Sequence, residues 1–267
     1  MNKLVPTVVV LMGLCGVGWS AALENEIYHK QALEAAIGDF SQSLYIHLAK
    51  TSSKENFVFS PLSLHSALSL LYLGTKDDSE TQKQLGSAMG IVNSPHLLKM
   101  AYQRVIETYQ DQKSFLYGNH IWVGNQFTLK PEYKELVLRQ FGSEASNIDF
   151  TSVDAVNQVN QWISNKTNKK IENLVESLSK DTKMFLANAL YFNEKWLEPF
   201  EDRDHEGNII EETFDTGSMK VTVPMIQHIS SEIVFGEITT NRNNFLEVVT
   251  IPYKNKNFEK MPRDWTS

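Results

Sequence analysis

Cysteine is nearly absent. The 267 residues contain one, Cys15, in an N-terminal stretch expected to be removed, so the mature chain would hold no thiol for a disulfide, a nucleophile or a metal site. Histidine is sparse and scattered: His29, His47, His65, His96, His120, His205 and His228 include no two that lie three or four apart. No helix can therefore present the paired imidazoles of a zinc site, and His205-Glu206 is followed by no second histidine. There is no P-loop, no G-x-G-x-x-G and no G-x-S-x-G elbow. The acid pairs Asp77-Asp78 and Glu211-Glu212 fall in polar stretches and read as solvated faces rather than acid–base partners. Basic clusters are missing as well. Lys and Arg total 25 against 32 Asp and Glu, a net charge of −7, which offers no footprint for nucleic acid or another polyanion. Nothing in these patterns points to an enzyme, a cofactor or a metal.

What is present begins with a leader. Met1-Asn2-Lys3 supplies a positive charge, Leu4 to Trp19 is apolar without an acid, and Ser20-Ala21-Ala22 offers small residues at a cleavage site. This is the pattern of a secretory signal peptide over residues 1–22. The apolar run is short for a membrane span and contains Pro6, so the expected product is secreted, extracellular and free of the membrane once the leader is gone. A secreted domain of this size can dispense with disulfides because its core is large enough. The one N-glycosylation sequon, Asn165-Lys166-Thr167, follows an amphipathic helical pattern and marks Asn165 as a glycan acceptor.

The periodicities run from helices to strands. Ile27, Leu33, Ala36, Ile37, Phe40, Leu44 and Leu48 recur at helical spacing over 25–50. Asn56-Phe57-Val58-Phe59 reads as a short strand ending at Ser60-Pro61, a serine cap followed by proline at the first helical position. The helix from Pro61 to Leu73 is apolar nearly all round and should lie centrally. Helices are expected from Ser79 and from Ser94-Pro95 to Tyr109, a strand over Phe115–Val123, and a helix from Pro131 to Phe141. A short strand to Phe150 follows, then an amphipathic helix over 153–164 with Val153, Val156, Val159, Trp162 and Ile163 on one stripe. Met184–Phe192 is a strand with a polar amide, Asn188, inside it, and shorter strands fill Ile209–Ile251. Helices first and strands last argue for an α+β fold, with no repeat and no interdomain linker.

Several of these segments together resemble the serpin family, the inhibitors that trap proteases by inserting a loop into a sheet. The matching stretches are Asn56-Phe57-Val58-Phe59-Ser60-Pro61-Leu62-Ser63, Gly118-Asn119-His120-Ile121-Trp122-Val123, Val159 to Ile171, and Asn188-Ala189-Leu190-Tyr191-Phe192 through Trp196 and Phe200. Glu247 to Pro252-Tyr253 adds a weaker match. The resemblance implies a serpin-like fold with N-terminal helices, parts of the main sheet A and parts of sheets B and C. It gives Asn56, Ser60, Ser63 and Asn188 the place of the hydrogen-bonded shutter cluster beneath the opening sheet. Trp196 takes the place of the breach aromatic at the sheet's top. The family usually has glycine at Glu194 and commonly at Lys169, so the turns there are expected to differ.

The resemblance stops at Tyr253. Residues 23–253 read as a partial serpin domain and 254–267 as a divergent tail, with no alanine-rich hinge and no reactive-centre loop. The expectation is a chain truncated before that loop and unable to inhibit as it stands, its partner in any full-length form being an extracellular serine protease. The alternatives are a binding or decoy protein without inhibitory activity, or a product without function. Only Lys99 and Arg104 are basic between Ser94 and Tyr109, where heparin-binding members carry their basic helix, so no heparin site is evident. A strand edge and apolar surface left bare would make the chain unstable on its own.

Overall fold

The computed structural model describes residues 22–51, 57–91, 95–109, 113–227, 234–239 and 245–255. These fall into two compact units divided between Asn193 and Glu194. Of the leader expected over residues 1–22 only Ala22 is described, and of the tail 254–267 only Lys254 and Asn255; Asn56 also lies outside the described residues.

The larger unit holds six helices and three strands among its described residues. They are α1 (Ala22–Thr51), α2 (Pro61–Gly74), α3 (Glu80–Ala88), α4 (Pro95–Tyr109), β1 (Phe115–Gly124), α5 (Pro131–Phe141), β2 (Glu144–Ile148), α6 (Asp154–Lys166) and β3 (Met184–Phe192). The sheet order is β2-β1-β3, with β2 parallel and β3 antiparallel to β1. Both faces are covered. On one, Leu70, Tyr102, Ile121, Val137 and Phe141 join α2, α4 and α5 to the sheet. On the other, Trp122, Ala187 and Ala189 meet Val159, Trp162 and Ile163 of α6. Side chains alternate along a strand, and cover on both faces is what lets the two ends of β1, Phe115–Tyr117 and Ile121–Val123, read as apolar runs. The outer edge of β3 pairs with no strand among the described residues.

Local signals explain where the helices begin and end. Ser60 is extended and its hydroxyl accepts a bond from the Ser63 amide at the start of α2, while Ser79 caps α3 in the same way through Gln82. α5 ends at Gly142, which takes φ +54 and sits 3.2 Å, at an imagined Cβ, from Ile106. Only glycine accepts both that backbone and that neighbour.

Several expectations need correction. Residues 57–59 form no strand; Val58 is 99% exposed, and without a partner to accept its amides the segment stays irregular. α2 is buried centrally as expected, but it turns polar as well as apolar side chains inward. Ser63, His65, Ser66, Ser69, Leu70 and Tyr72 face inward while Leu64 is exposed, because the polar side chains find hydrogen-bond partners inside. Val153 is 94% exposed and precedes α6, whose first amide, that of Asp154, is taken by the Ser152 hydroxyl. The sequon asparagine, Asn165, lies in the last turn of α6 rather than after it.

The glycine departures separate. Glu194 is not among the positive-φ residues, but Lys169 adopts φ +58 next to Asn168 at +49. A β-carbon in the left-handed region costs about 1 kcal/mol relative to glycine. Lys169→Gly is therefore expected to raise the unfolding free energy by about 1 kcal/mol in urea titration, since the side chain is exposed and leaves no cavity.

The smaller unit contains the hairpin β4 (Glu211–Asp215) with β5 (Lys220–Pro224), and the hairpin β6 (Val234–Thr239) with β7 (Phe245–Thr250). Ahead of β4, the Leu197 amide bonds to the Pro252 carbonyl at 2.8 Å and the Lys254 amide to Lys195 at 2.8 Å, which ties the two ends of this unit together.

Candidate functional site

Among the described residues of the larger unit, a dense polar network lies under the β1–β3 pair, where α2 passes. Asn119 and Asn188 are direct partners in the antiparallel register, and alternation turns both toward α2. The Ser63 hydroxyl donates to Asn188 Oδ1. Asn188 Nδ2 returns a bond to the Ser63 carbonyl at 3.1 Å and reaches Asn119 Oδ1 at 2.7 Å. Asn119 Nδ2 then faces the hydroxyls of Ser66 at 3.1 Å, Tyr117 at 3.2 Å and Ser143 at 3.1 Å. Ser66 and Tyr117 share a hydrogen bond of their own, and the Ser143 hydroxyl donates to the Phe141 carbonyl.

Burial gives this network its weight. Ser63, Ser66, Asn119 and Ser143 are essentially inaccessible, so each polar atom must find its partner within the protein or leave a desolvation cost of about 1–3 kcal/mol. Burial also pushes the Tyr117 phenol up to about 12 against the opposing effect of its bonds to Ser66 and Asn119. The phenol is therefore a hydrogen-bonding group and not an acid. No member is a nucleophile with an adjacent base, and the arrangement is suited to holding, not to bond breaking.

Of the residues singled out in sequence, Ser60, Ser63 and Asn188 come together here. Ser60 contributes through the α2 cap and Ser63 and Asn188 through direct bonds. Trp196 sits in the smaller unit, where its ring stacks on Tyr253 at 4.7 Å with 7° between planes and meets Phe200 edge-on at 5.9 Å. It is paired with Tyr253 in an isolated antiparallel bridge and remains 36% exposed. Asn165 is exposed on α6, and the hydroxyl of its sequon partner Thr167 is buried and donates to the Ile163 carbonyl at 2.8 Å. Among the described residues no group of His, Cys, Asp and Glu is placed to hold a metal ion.

A family model for serpins, described as serine protease inhibitors, matches residues 35–261. The chain belongs to the serpin family. Human neuroserpin is 28% identical over 238 residues, covering 85% of this chain and 57% of its own length. A serine protease inhibitor of Cyanea capillata is 31% identical over 239 residues, covering 86% and 61%. The crystal structure of mouse protein-Z dependent protease inhibitor superposes with a TM-score of 0.71 over 86% of this chain and 60% of that one, at 23% identity, a likeness of fold. This serpin chain thus spans about three fifths of the length of such relatives. Two of these three are named as protease inhibitors.

Sequence reading of this serpin missed part of the network. Asn119 lies in the Gly118–Val123 stretch that carries the resemblance but is no part of the expected cluster, and neither are Ser66, Tyr117 and Ser143. A signal for two of them exists. Ser60, Ser63 and Ser66 recur every three residues from the cap into α2, and Asn119 is an amide in the middle of a strand whose two ends, Phe115-Leu116-Tyr117 and Ile121-Trp122-Val123, are apolar. Tyr117 and Ser143 carry no such mark, because only the fold brings them to Asn119.

Proposed function

We propose that the protein is a secreted inhibitor of serine proteases whose sheet β2-β1-β3 is the one that opens. The observation that supports this reading most is the amide–hydroxyl network joining α2 to β1 and β3, beside the edge of β3 that pairs with no strand among the described residues. Ser63 and Asn188 are its catch, Ser60 its cap, and Asn119 the hub that fastens Asn188 to α2 and to the turn after α5. Trp196, stacked on Tyr253, is the breach aromatic, and Asn165 carries a glycan attached in the secretory pathway. A network of this kind can hold a sheet closed and re-form around an added strand, because each bond is short-ranged and reversible. The partner is an extracellular serine protease.

The test is adduct formation. A secreted product whose reading frame continues beyond Tyr253 into a hinge and bait loop, mixed with serine proteases of different primary specificity, is expected to give a complex stable in SDS at the combined mass. Competent product that slows a protease only reversibly, or not at all, would sink the reading. Treatment with an endoglycosidase should increase the mobility of the secreted wild type and leave Asn165→Gln unchanged.

A further inference from the structure

The opposite face of β1 carries a second buried group that the catch does not use. His120 points toward α6, is 8% exposed, and stacks on Trp122 at 3.8 Å with 5° between planes. The edge of Trp162 from α6 meets it at 5.6 Å. Its Nε2 lies 2.8 Å from the Ser146 hydroxyl on β2. Its Nδ1 makes no hydrogen bond and faces Glu144 Oε2 at 3.6 Å.

Glu144 is the point where α6 is fastened. Its Oε1 accepts from Trp162 Nε1 at 3.0 Å and from Lys166 Nζ at 3.5 Å, both from α6. Gly118 leaves room for this: a Cβ there would meet the Lys166 stem at 3.3 Å. The charged groups facing His120 are then Glu144 from β2 and Lys166 from α6; β3 contributes Ala187, directly opposite in register, and no charge. The carboxylate beside Nδ1 favours the neutral tautomer with its proton there, leaving Nε2 to accept from Ser146. A second proton would land on Nε2; burial and Lys166 both disfavour that cation, and Glu144 at 3.6 Å offsets them only in part.

We propose that His120 is an acid-sensitive latch of α6: neutral, it packs the helix against the sheet, and protonated, it releases it. The released state lets water reach the imidazolium and bares the alanine-lined face of β3. Burial is the main cause that holds the buried imidazole down at about 4, against its ordinary 6.5. Opening that restores the ordinary value is favoured about twentyfold more at pH 5 than at pH 7.

The experiment is hydrogen exchange on the full chain over that interval, with Pro131–Phe141 of α5 as the internal reference. Protection over Asp154–Lys166 in the wild type is expected to fall about twentyfold more than in His120→Phe, which keeps an aromatic ring but cannot titrate. The two proteins should lose α5 protection equally. Equal loss over α6 in wild type and variant would overturn the proposal. Should the variant not fold, the wild-type His120 ring protons followed by NMR decide the matter: a midpoint well below 6 supports the latch, and a midpoint at or above 6.5 overturns it.

Discussion

Replacing Asn119 by alanine is expected to lower the unfolding free energy by about 3–4 kcal/mol in urea titration, more than any other single change in the network. The wholly buried Asn119 serves Asn188, Ser66, Tyr117 and Ser143 at once. Truncation leaves the second Asn188 Nδ2 proton without its acceptor and removes the donor that three hydroxyl oxygens face. Ser66 and Tyr117 can still bond to each other, and Ser143 keeps the Phe141 carbonyl, which limits the loss. Ser60→Ala removes only the cap bond, at 3.3 Å, and is expected to cost about 1 kcal/mol. An Asn119→Ala loss no greater than that of Ser60→Ala would show that water replaces the missing amide.

The second large effect is a loss of stability in mild acid, centred on His65. This ring is wholly buried on α2. Its Nε2 lies 3.0 Å from the Met89 carbonyl, an acceptor only, so the proton sits there and Nδ1 accepts from the Tyr102 hydroxyl at 2.7 Å. Burial, partly offset by the Met89 bond, holds its pKa at about 4 rather than 6.5. The unfolded chain therefore binds a proton at a pH where the folded chain does not. The stabilising contribution is complete above the unfolded value of 6.5 and is lost as pH falls toward 4. Between pH 7 and pH 5 the loss from this group is about 2 kcal/mol. His65→Gln can keep a donor toward Met89 and an acceptor toward Tyr102 without titrating. It is expected to reduce the pH dependence of the urea-derived stability by that amount over the same interval. A variant with the wild-type slope would assign the acid sensitivity elsewhere.

Much of the architecture could be read from the chain because its local signals agree with its packing. Proline after Ser60, Ser94 and Lys130, and glycine after Phe141, bracket helices that form close to where they were expected. The strands β1 and β3 were visible as apolar runs, and Asn188 stood out as an amide inside one of them. What could not be read is which side of a nearly all-apolar element faces inward. α2 illustrates this: hydropathy favours burying Leu64, yet His65 and the serines occupy the interior, because bonds to Tyr102, Met89, Asn119 and Asn188 from distant segments make polar burial affordable. The strand expected at 57–59 failed for a related reason, since a strand exists only through a partner. Val153 was misplaced on the α6 stripe because the Ser152 hydroxyl, a matter of a single residue, sets where that helix starts.

Asn188 binds in two directions. It reaches sideways to Asn119 on the neighbouring strand and downward to Ser63 on α2. Peeling β3 away from β1 strains the first tie, and shearing the sheet along α2 strains the second. Because one amide group anchors both, its rotation to relieve either displacement loosens the other. The two motions share a common fastener, and resistance to peel cannot be tuned at this residue without changing resistance to shear.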